Sequence, residues 1–165
     1  SGGFKVFSLP KKEVSEEGVT FSFEKGDEPT KLTPERSIEI QEQLASDIAM
    51  VFDECLEYPC SEARAAESLE RTFRWEKRSQ AAHKRKDQLL FGIVQGSTYP
   101  QLRKRSAQQV TSLDLDGYAI GRVSVGEELD RTDGIVLEAK EDVLVRARIE
   151  ETGPDLRNGR VLVLD

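Results

Sequence analysis

Three short apolar runs in this sequence end in residues that could hold a ligand. Asp53 and Glu54 follow the first run, Gln95 follows the second, and Gly121 with Arg122 follows the third. A carboxylate accepts hydrogen bonds, a carboxamide both donates and accepts them, and a guanidinium binds anions. If the runs are neighbouring parallel strands, these residues share the carboxyl edge of one sheet, where α/β proteins bind their ligands. The pattern therefore predicts one binding site at the three strand ends.

The stretch from Leu90 to Glu127 predicts the elements that this site needs. Its first part, LFGIVQG, and its last part, GYAIGRVSVGE, are apolar and bounded by glycine. Such segments are typical of strands that are buried on both faces. The part between them has helical spacing, shown by Leu102, Ser106, Val110 and Leu113. A strand, a crossover helix and a second strand predict a parallel βαβ unit.

Residues upstream of this unit predict a hairpin, a helix and a further strand. Alternation from Gly18 in GVTFSF, followed by the turn-rich EKGDEPT, predicts a β-hairpin. Thr33 before Pro34 is a favourable helix start, and the helix is expected to end near Ala45. The run 48–52 then predicts a buried strand that ends directly before Asp53.

A long helix is predicted between a capping Ser61 and about Lys84. The predicted buried side of this helix follows a four-residue spacing and consists of Ala65, Leu69 and Phe73. Trp75 is expected to flank that side. The basic groups around Lys84 and Arg103 are interpreted as solvated helix faces, with contact to an RNA backbone as the alternative.

Composition indicates a single acidic domain. The 165 residues include 33% charged residues and carry a net charge of −7, which argues against broad nucleic-acid binding. No apolar run approaches the roughly 20 residues that span a bilayer, so we expect no membrane partner and a cytoplasmic location. Cys55 and Cys60 are the only cysteines, so there is no disulfide framework.

Ordered motifs along the chain resemble the tRNA-guanine transglycosylase (queuine tRNA-ribosyltransferase) family of bacterial type. In the family's order they are SGGFKVFSLP, EEGVTF, LTPERSIEIQ, SDIAMVFDEC, ERTFRW, FGIVQG, YPQLRKRSAQQ, DGYAIG and SVGE. The resemblance runs from Ser1 to about Glu127. It implies a (β/α)8-barrel fold and the exchange of guanine in tRNA for a 7-deazaguanine base.

The chain is too short for a whole barrel, which takes about 250 residues. We therefore expect an α/β fold with a partial (β/α)8 TIM barrel of about three βα units, a β-hairpin insertion and a short C-terminal β meander. Residues 1–127 are expected to form the partial barrel, and residues 128–165 a β-rich tail. The tail runs GIVLEAK, DVLVRARIEE and GRVLVLD predict an antiparallel meander, with an RNA-binding patch as a minor alternative.

The resemblance implies that several residues contact the base. Asp53 matches the aspartate that recognises the Watson–Crick side of guanine, because a carboxylate accepts from both N1–H and the exocyclic amine. Gln95 matches the glutamine that bonds the far edge of the base. Phe4 matches the aromatic residue that stacks on the base, and Gly121 completes the matching AIG segment.

Four further positions also map to the implied pocket. Ser1 matches the serine after the family's acid–base aspartate, and Cys55 matches a bacterial-type position that tolerates an aminomethyl substituent. The alternative for Cys55 is a small buried apolar residue, as free cysteines usually are. Arg122 stands where the family has a second glycine, so a guanidinium there should fill the pocket or bind an anion. Lys5 stands where the family usually has glutamine.

The residues implied for catalysis have no match in these 165 residues. The acid–base aspartate would precede Ser1, and neither the nucleophilic aspartate nor the cysteine-rich zinc site is matched, so we expect no cofactor. The first functional prediction is a transglycosylase-like protein, impaired or inactive alone, with tRNA and guanine or a 7-deazaguanine base as partners. The alternative is a non-catalytic half-barrel that binds or assembles, forming a homo-oligomer through its open sheet edge.

Overall fold

The computed structural model describes residues 3–23 and 27–121, and the backbone of residues 160–163. In chain order, the helices are α1 (Gly3–Phe7), α2 (Pro34–Gln43), α3 (Glu62–Ala82) and α4 (Pro100–Thr111). The strands are β1 (Lys12–Val14), β2 (Val19–Phe21), β3 (Thr30–Leu32), β4 (Ile48–Met50), β5 (Leu89–Val94), β6 (Gly117–Ile120) and β7 (Arg160–Val163).

The central element is a four-stranded parallel sheet. Its strand order is β4-β5-β6-β7, and all three pairings are parallel. Helix α3 connects β4 to β5, and α4 connects β5 to β6. The predicted βαβ unit is confirmed, as is the mixed α/β class. Adjacent parallel strands bring the residues after β4, β5 and β6 to one edge of the sheet.

The predicted hairpin is present as the antiparallel pair β2 and β3, and β1 extends it to a small three-stranded sheet. Its strand order is β1-β2-β3, so the hairpin prediction missed one strand, and the preceding segment contains the short helix α1. β1 has the sequence KEV and is mostly exposed, and it carries none of the apolar alternation by which a strand is predicted.

The last described strand corrects part of the predicted tail. β7 pairs in parallel with β6, whereas an antiparallel meander was expected for this run. Alternation of apolar residues has a period of two in strands of either direction, so the pattern could not decide between them. The other two predicted runs of the meander lie outside the described residues.

Both predicted helix caps are present. The Thr33 hydroxyl accepts from the Arg36 amide at 3.2 Å, and the Ser61 hydroxyl accepts from the Arg64 amide at 3.3 Å. These bonds satisfy amides at helix starts that have no partner within the helix. Among the described residues, no helix has the length and apolar character needed to cross a bilayer.

The buried face of α3 differs from its apolar pattern. Trp75, which was expected to flank the apolar side of the helix, is fully buried in the core and stacks on Phe52 with ring centroids 5.0 Å apart. Phe73 is half-buried, and the Lys77 ammonium lies 4.2 Å from the centre of its ring. The four-residue spacing failed because the inward face also holds polar side chains, namely Ser68, Thr72, Glu76 and Ser79.

Candidate functional site

Asp53 and Gln95 meet at the carboxyl edge of the parallel sheet. The Gln95 Nε2 donates to Asp53 Oδ2 at 2.6 Å, and each residue is only 6% exposed. The pairing of β4 with β5 continues to Val51, whose amide donates to the Phe91 carbonyl at 3.0 Å. This register places the two residues beside each other, so the sequence-based expectation that they converge agrees with the geometry.

Gly121 lies against the Gln95 side chain. A Cβ atom at Gly121 would lie 2.7 Å from Gln95 Nε2 and 2.8 Å from Ile93 Cγ2, which is closer than real contacts allow. The Gly121 amide donates to the Val94 carbonyl at 3.0 Å, and the Gln95 amide donates to the Ser106 hydroxyl at 2.9 Å. A side chain at position 121 would therefore force the Gln95 carboxamide and the Ile93 methyl group to shift from their present positions.

Arg103 supports the same edge from α4. Its Nη1 donates to the Ser97 carbonyl at 3.2 Å, and its Nη2 donates to the Gly121 carbonyl at 3.3 Å. The side chain is buried, so the interpretation of Arg103 as part of a solvated helix face was wrong. A guanidinium has five N–H donors and can hold two loops at once, which the spacing of charged residues on a helix does not reveal.

Glu54 has a different role from its neighbour Asp53. It is 1% exposed and forms ion pairs with Arg64 and Arg71, the latter at 2.7 Å, both on α3. Its amide donates to the Thr72 hydroxyl at 3.1 Å. Successive side chains of an extended chain point in opposite directions, so the two adjacent carboxylates are separated. The predicted carboxylate pair anchors a helix on one side and forms the site on the other.

Sequence reasoning missed Glu76, which lies in the middle of α3. The side chain is fully buried, and its Oε1 accepts from the Ile93 amide at 3.0 Å. Its Oε2 has no hydrogen-bond partner within the described part of the chain. Burial raises the pKa of Glu76 well above its usual range, and the charge of Asp53 raises it further. The sequence feature that could have indicated its burial is its spacing from Thr72 and Ser79, which places all three on one face of the helix.

The electrostatics of Asp53 follow from its burial. Loss of water raises the pKa of Asp53, while the hydrogen bond from Gln95 opposes this shift by favouring the charged form. The charge of Glu54 contributes a smaller upward shift. The site thus holds an acceptor that gains from any additional N–H donor placed against it.

Among the other predicted site residues, the structure describes the side chain of Cys55. Cys55 is half-buried and packs against the cluster that contains Phe52 and Trp75. Ser1, Arg122 and the side chain of Phe4 lie outside the described residues. Their roles in binding remain predictions. Across the residues that the structure covers, no group of three His, Cys, Asp or Glu side chains comes together to hold a metal.

Comparison with known proteins identifies the family of this chain. The family model described as queuine tRNA-ribosyltransferase matches residues 1–146. A queuine tRNA-ribosyltransferase from Nostoc sp. is 55% identical over 128 residues, which are 77% of this chain and 34% of that protein. The protein of the same name from Thermotoga neapolitana is 52% identical over 132 residues, which are 80% of this chain and 36% of that protein. The chain thus spans about a third of the length of these relatives. It belongs to the queuine tRNA-ribosyltransferase family.

Proposed function

We propose that the edge formed by Asp53, Gln95 and Gly121 binds the purine base of a tRNA-guanine transglycosylase reaction, either guanine or a 7-deazaguanine. The hydrogen bond between Asp53 and Gln95 carries this proposal, because it brings two complementary polar groups together in a buried place. In the absence of a base the two groups satisfy each other. A base with adjacent N–H donors would take the carboxylate, and Gln95 would turn to its other edge.

The sheet gives this proposal its structural frame. Consecutive parallel strands joined by crossover helices are the repeating part of a (β/α)8 barrel, which holds its ligands at the carboxyl ends of its strands. We propose that residues 1–127 are such a part, with a tRNA that carries the base as partner.

Base exchange would also need an acid–base group and a nucleophile. We assign neither role to a residue of this chain and propose binding, without turnover, for the chain alone.

Calorimetric titration of guanine into this protein tests the base-binding proposal. Asp53→Asn replaces an acceptor oxygen with a donor and should weaken binding about tenfold or more, as expected for loss of a charge-assisted hydrogen bond. Asp114→Asn changes an exposed aspartate and is the matched control. Equal affinity in the Asp53 variant and the control would contradict the proposal. Incorporation of labelled guanine into tRNA by the chain alone would contradict the assignment of binding without turnover.

A second candidate function is assembly through the edge of β4. An apolar groove beside this strand is lined by residues that include Ile40, Leu44 and Ile48, and all three are exposed. Exposed apolar side chains next to a sheet edge favour association with another chain. The side chain of Gln41 opposes this association, because its bonds occupy both polar backbone groups of Met50. Its oxygen accepts from the Met50 amide at 2.8 Å, and its nitrogen donates to the Met50 carbonyl at 2.9 Å.

A further inference from the structure

Side chains of α3 complete the hydrogen bonding of the sheet where β4 and β5 stop pairing. The Phe52 amide donates to Ser79 at 3.1 Å, the Glu54 amide donates to Thr72 at 3.1 Å, and the Ile93 amide donates to Glu76 at 3.0 Å. The acceptors occupy one face of the helix, about one turn apart. A hydroxyl suffices at two of these places, whereas the third has a carboxyl group. Glu76 is thus the titratable member of this set.

Within the described residues, no positively charged side chain bonds to the carboxyl group of Glu76. One turn away on α3 lie the uncharged side chains Thr72, Phe73, Ser79 and Gln80. β5 offers the Ile93 amide, and the end of β4 offers the carboxyl group of Asp53. The arginines that bond at the ends of β4 and β6 have other partners: Arg64 and Arg71 bind Glu54, and Arg103 of α4 donates to the carbonyls of Ser97 and Gly121.

Asp53 and Glu76 are therefore two acids in one water-poor region. Ionising both would place like charges near each other without solvent, so their protons leave in two separate steps that belong to the pair. Gln95 donates its side-chain N–H to Asp53, which favours the ionised form of that residue. Glu76 receives one backbone N–H and is more deeply buried. The first proton should leave Asp53, and the second should leave Glu76.

We propose that Glu76 is a positioning residue that retains a proton behind the base pocket, so that Asp53 is the acid of the pair that ionises to accept the N–H groups of the base. This inference rests on the proposed base-binding function. A bound base covers Asp53 and removes further water, which strengthens the repulsion between two ionised carboxylates. Base binding therefore requires that Glu76 keeps its proton.

The inference predicts a bell-shaped dependence of guanine affinity on pH. Affinity rises with pH as Asp53 ionises, and falls about tenfold per pH unit where Glu76 must take up a proton for binding. Glu76→Gln keeps an oxygen that accepts from Ile93 but has no proton to lose. It should keep the rising limb and flatten the falling limb. The exposed change Glu62→Gln on the same helix is the control and should follow the wild type.

The experiment is calorimetric guanine titration of the wild type and both variants across the same pH series. Guanine loses its own N1 proton at high pH, but this affects every protein equally, so the ratio of affinities isolates Glu76. Carbon-13 NMR of glutamate carboxyl groups supplies a readout without ligand. One glutamate of the free wild type should titrate at a higher pH than the exposed glutamates, and its signal should be missing from Glu76→Gln.

The outcomes separate the inference from the function on which it rests. Guanine binding with parallel pH profiles in the wild type and Glu76→Gln would overturn the inference and leave the base site intact. The inference would also be overturned if carbon-13 NMR of the free wild type showed all glutamate carboxyl groups titrating together. This result does not depend on how the Glu76→Gln variant folds. Absence of guanine binding in every protein at every pH would overturn the base site itself, even with a protonated Glu76.

Discussion

At the scale of single residues, the burial of Glu76 affects the stability of the protein as well as its site. The folded state raises the pKa of this group above its unfolded value of about 4.5. Folding thus favours the protonated form, and this contribution to stability is complete below the unfolded pKa and is lost as pH rises towards the folded pKa. A neutral replacement has no such dependence.

Glu76→Gln should therefore gain stability relative to the wild type as pH rises. The difference between the two free energies of unfolding should be smallest near pH 4 and should grow in favour of the variant as pH rises towards the raised pKa of Glu76. Urea denaturation at several pH values measures it. Two parallel curves of stability against pH would show that Glu76 titrates alike in the folded and unfolded states.

Gly121 offers a second test at this scale. In Gly121→Ala the new Cβ would lie 2.7 Å from Gln95 Nε2, so the carboxamide must leave its place beside Asp53. We expect a loss of about 1–3 kcal/mol in stability, as for an overpacked core. Guanine affinity should fall by about tenfold, because Gln95 is displaced. An intact Asp53–Gln95 hydrogen bond in a structure of the variant would contradict this account.

The individual site residues differ in how far the sequence predicts them. Asp53 and Gln95 directly follow apolar strands, and parallel pairing alone brings such positions together. Glu76 and Arg103 lie within helices, where a charged residue normally indicates a solvated face. Only tertiary packing shows that both point inward. Glu54 was recognised at its strand end, but its two arginine partners lie 10 and 17 residues further along the chain.

At the scale of elements, Glu54 joins the end of β4 to helix α3. The Glu54 carboxylate in both ion pairs is 1% exposed, whereas its partners Arg64 and Arg71 are 31% and 14% exposed. Glu54→Ala should lower the free energy of unfolding by about 3 kcal/mol, because it removes the buried carboxylate that both Arg64 and Arg71 bind. Denaturant titration gives the value.

Glu67→Ala is the matched control for this change. It removes the other carboxylate bonded to Arg71, but Glu67 is 60% exposed, and a surface pair contributes less than about 1 kcal/mol. Similar losses in the two variants would mean that burial does not determine the strength of the Glu54 contacts.

The elements themselves were predictable where one local rule was sufficient. A hydroxyl residue at the start of α2 and α3 defines each first turn, and uninterrupted apolar runs define β5 and β6. β1 was missed because a three-residue strand with two charged side chains exposes most of its surface. The direction of β7 could not be predicted, because it depends on how the chain returns to β6.

At the scale of the whole molecule, the edge of β4 governs association. Gln41 bonds to both polar backbone groups of Met50, so Gln41→Ala should expose them beside an apolar groove. We expect more self-association in the variant than in the wild type at equal concentration. Size-exclusion chromatography with light scattering measures it.

Gln43→Ala provides the control for this experiment. Gln43 lies on the same helix but is exposed and bonds to Glu39 instead of to the sheet. Its variant should match the wild type. Identical masses for all three proteins over a wide range of concentrations would exclude the β4 edge as an association surface.

The fold class of the molecule was predictable because strands and helices alternate regularly from β4 to β6. The sequence also indicated which sheet edge carries the polar residues. It did not indicate that a side chain covers part of the open edge, since a glutamine on an amphipathic helix has the same local pattern whether it contacts water or a strand.

The carboxamide of Gln41 has the same donor and acceptor groups as a peptide unit, and it occupies the place that one residue of an incoming strand would need. A strand that joins β4 must therefore exchange bonds at Met50 instead of simply adding them. A further strand could begin to pair with β4 near Ile48. It could complete the pairing only after the Gln41 side chain had released its two hydrogen bonds to Met50.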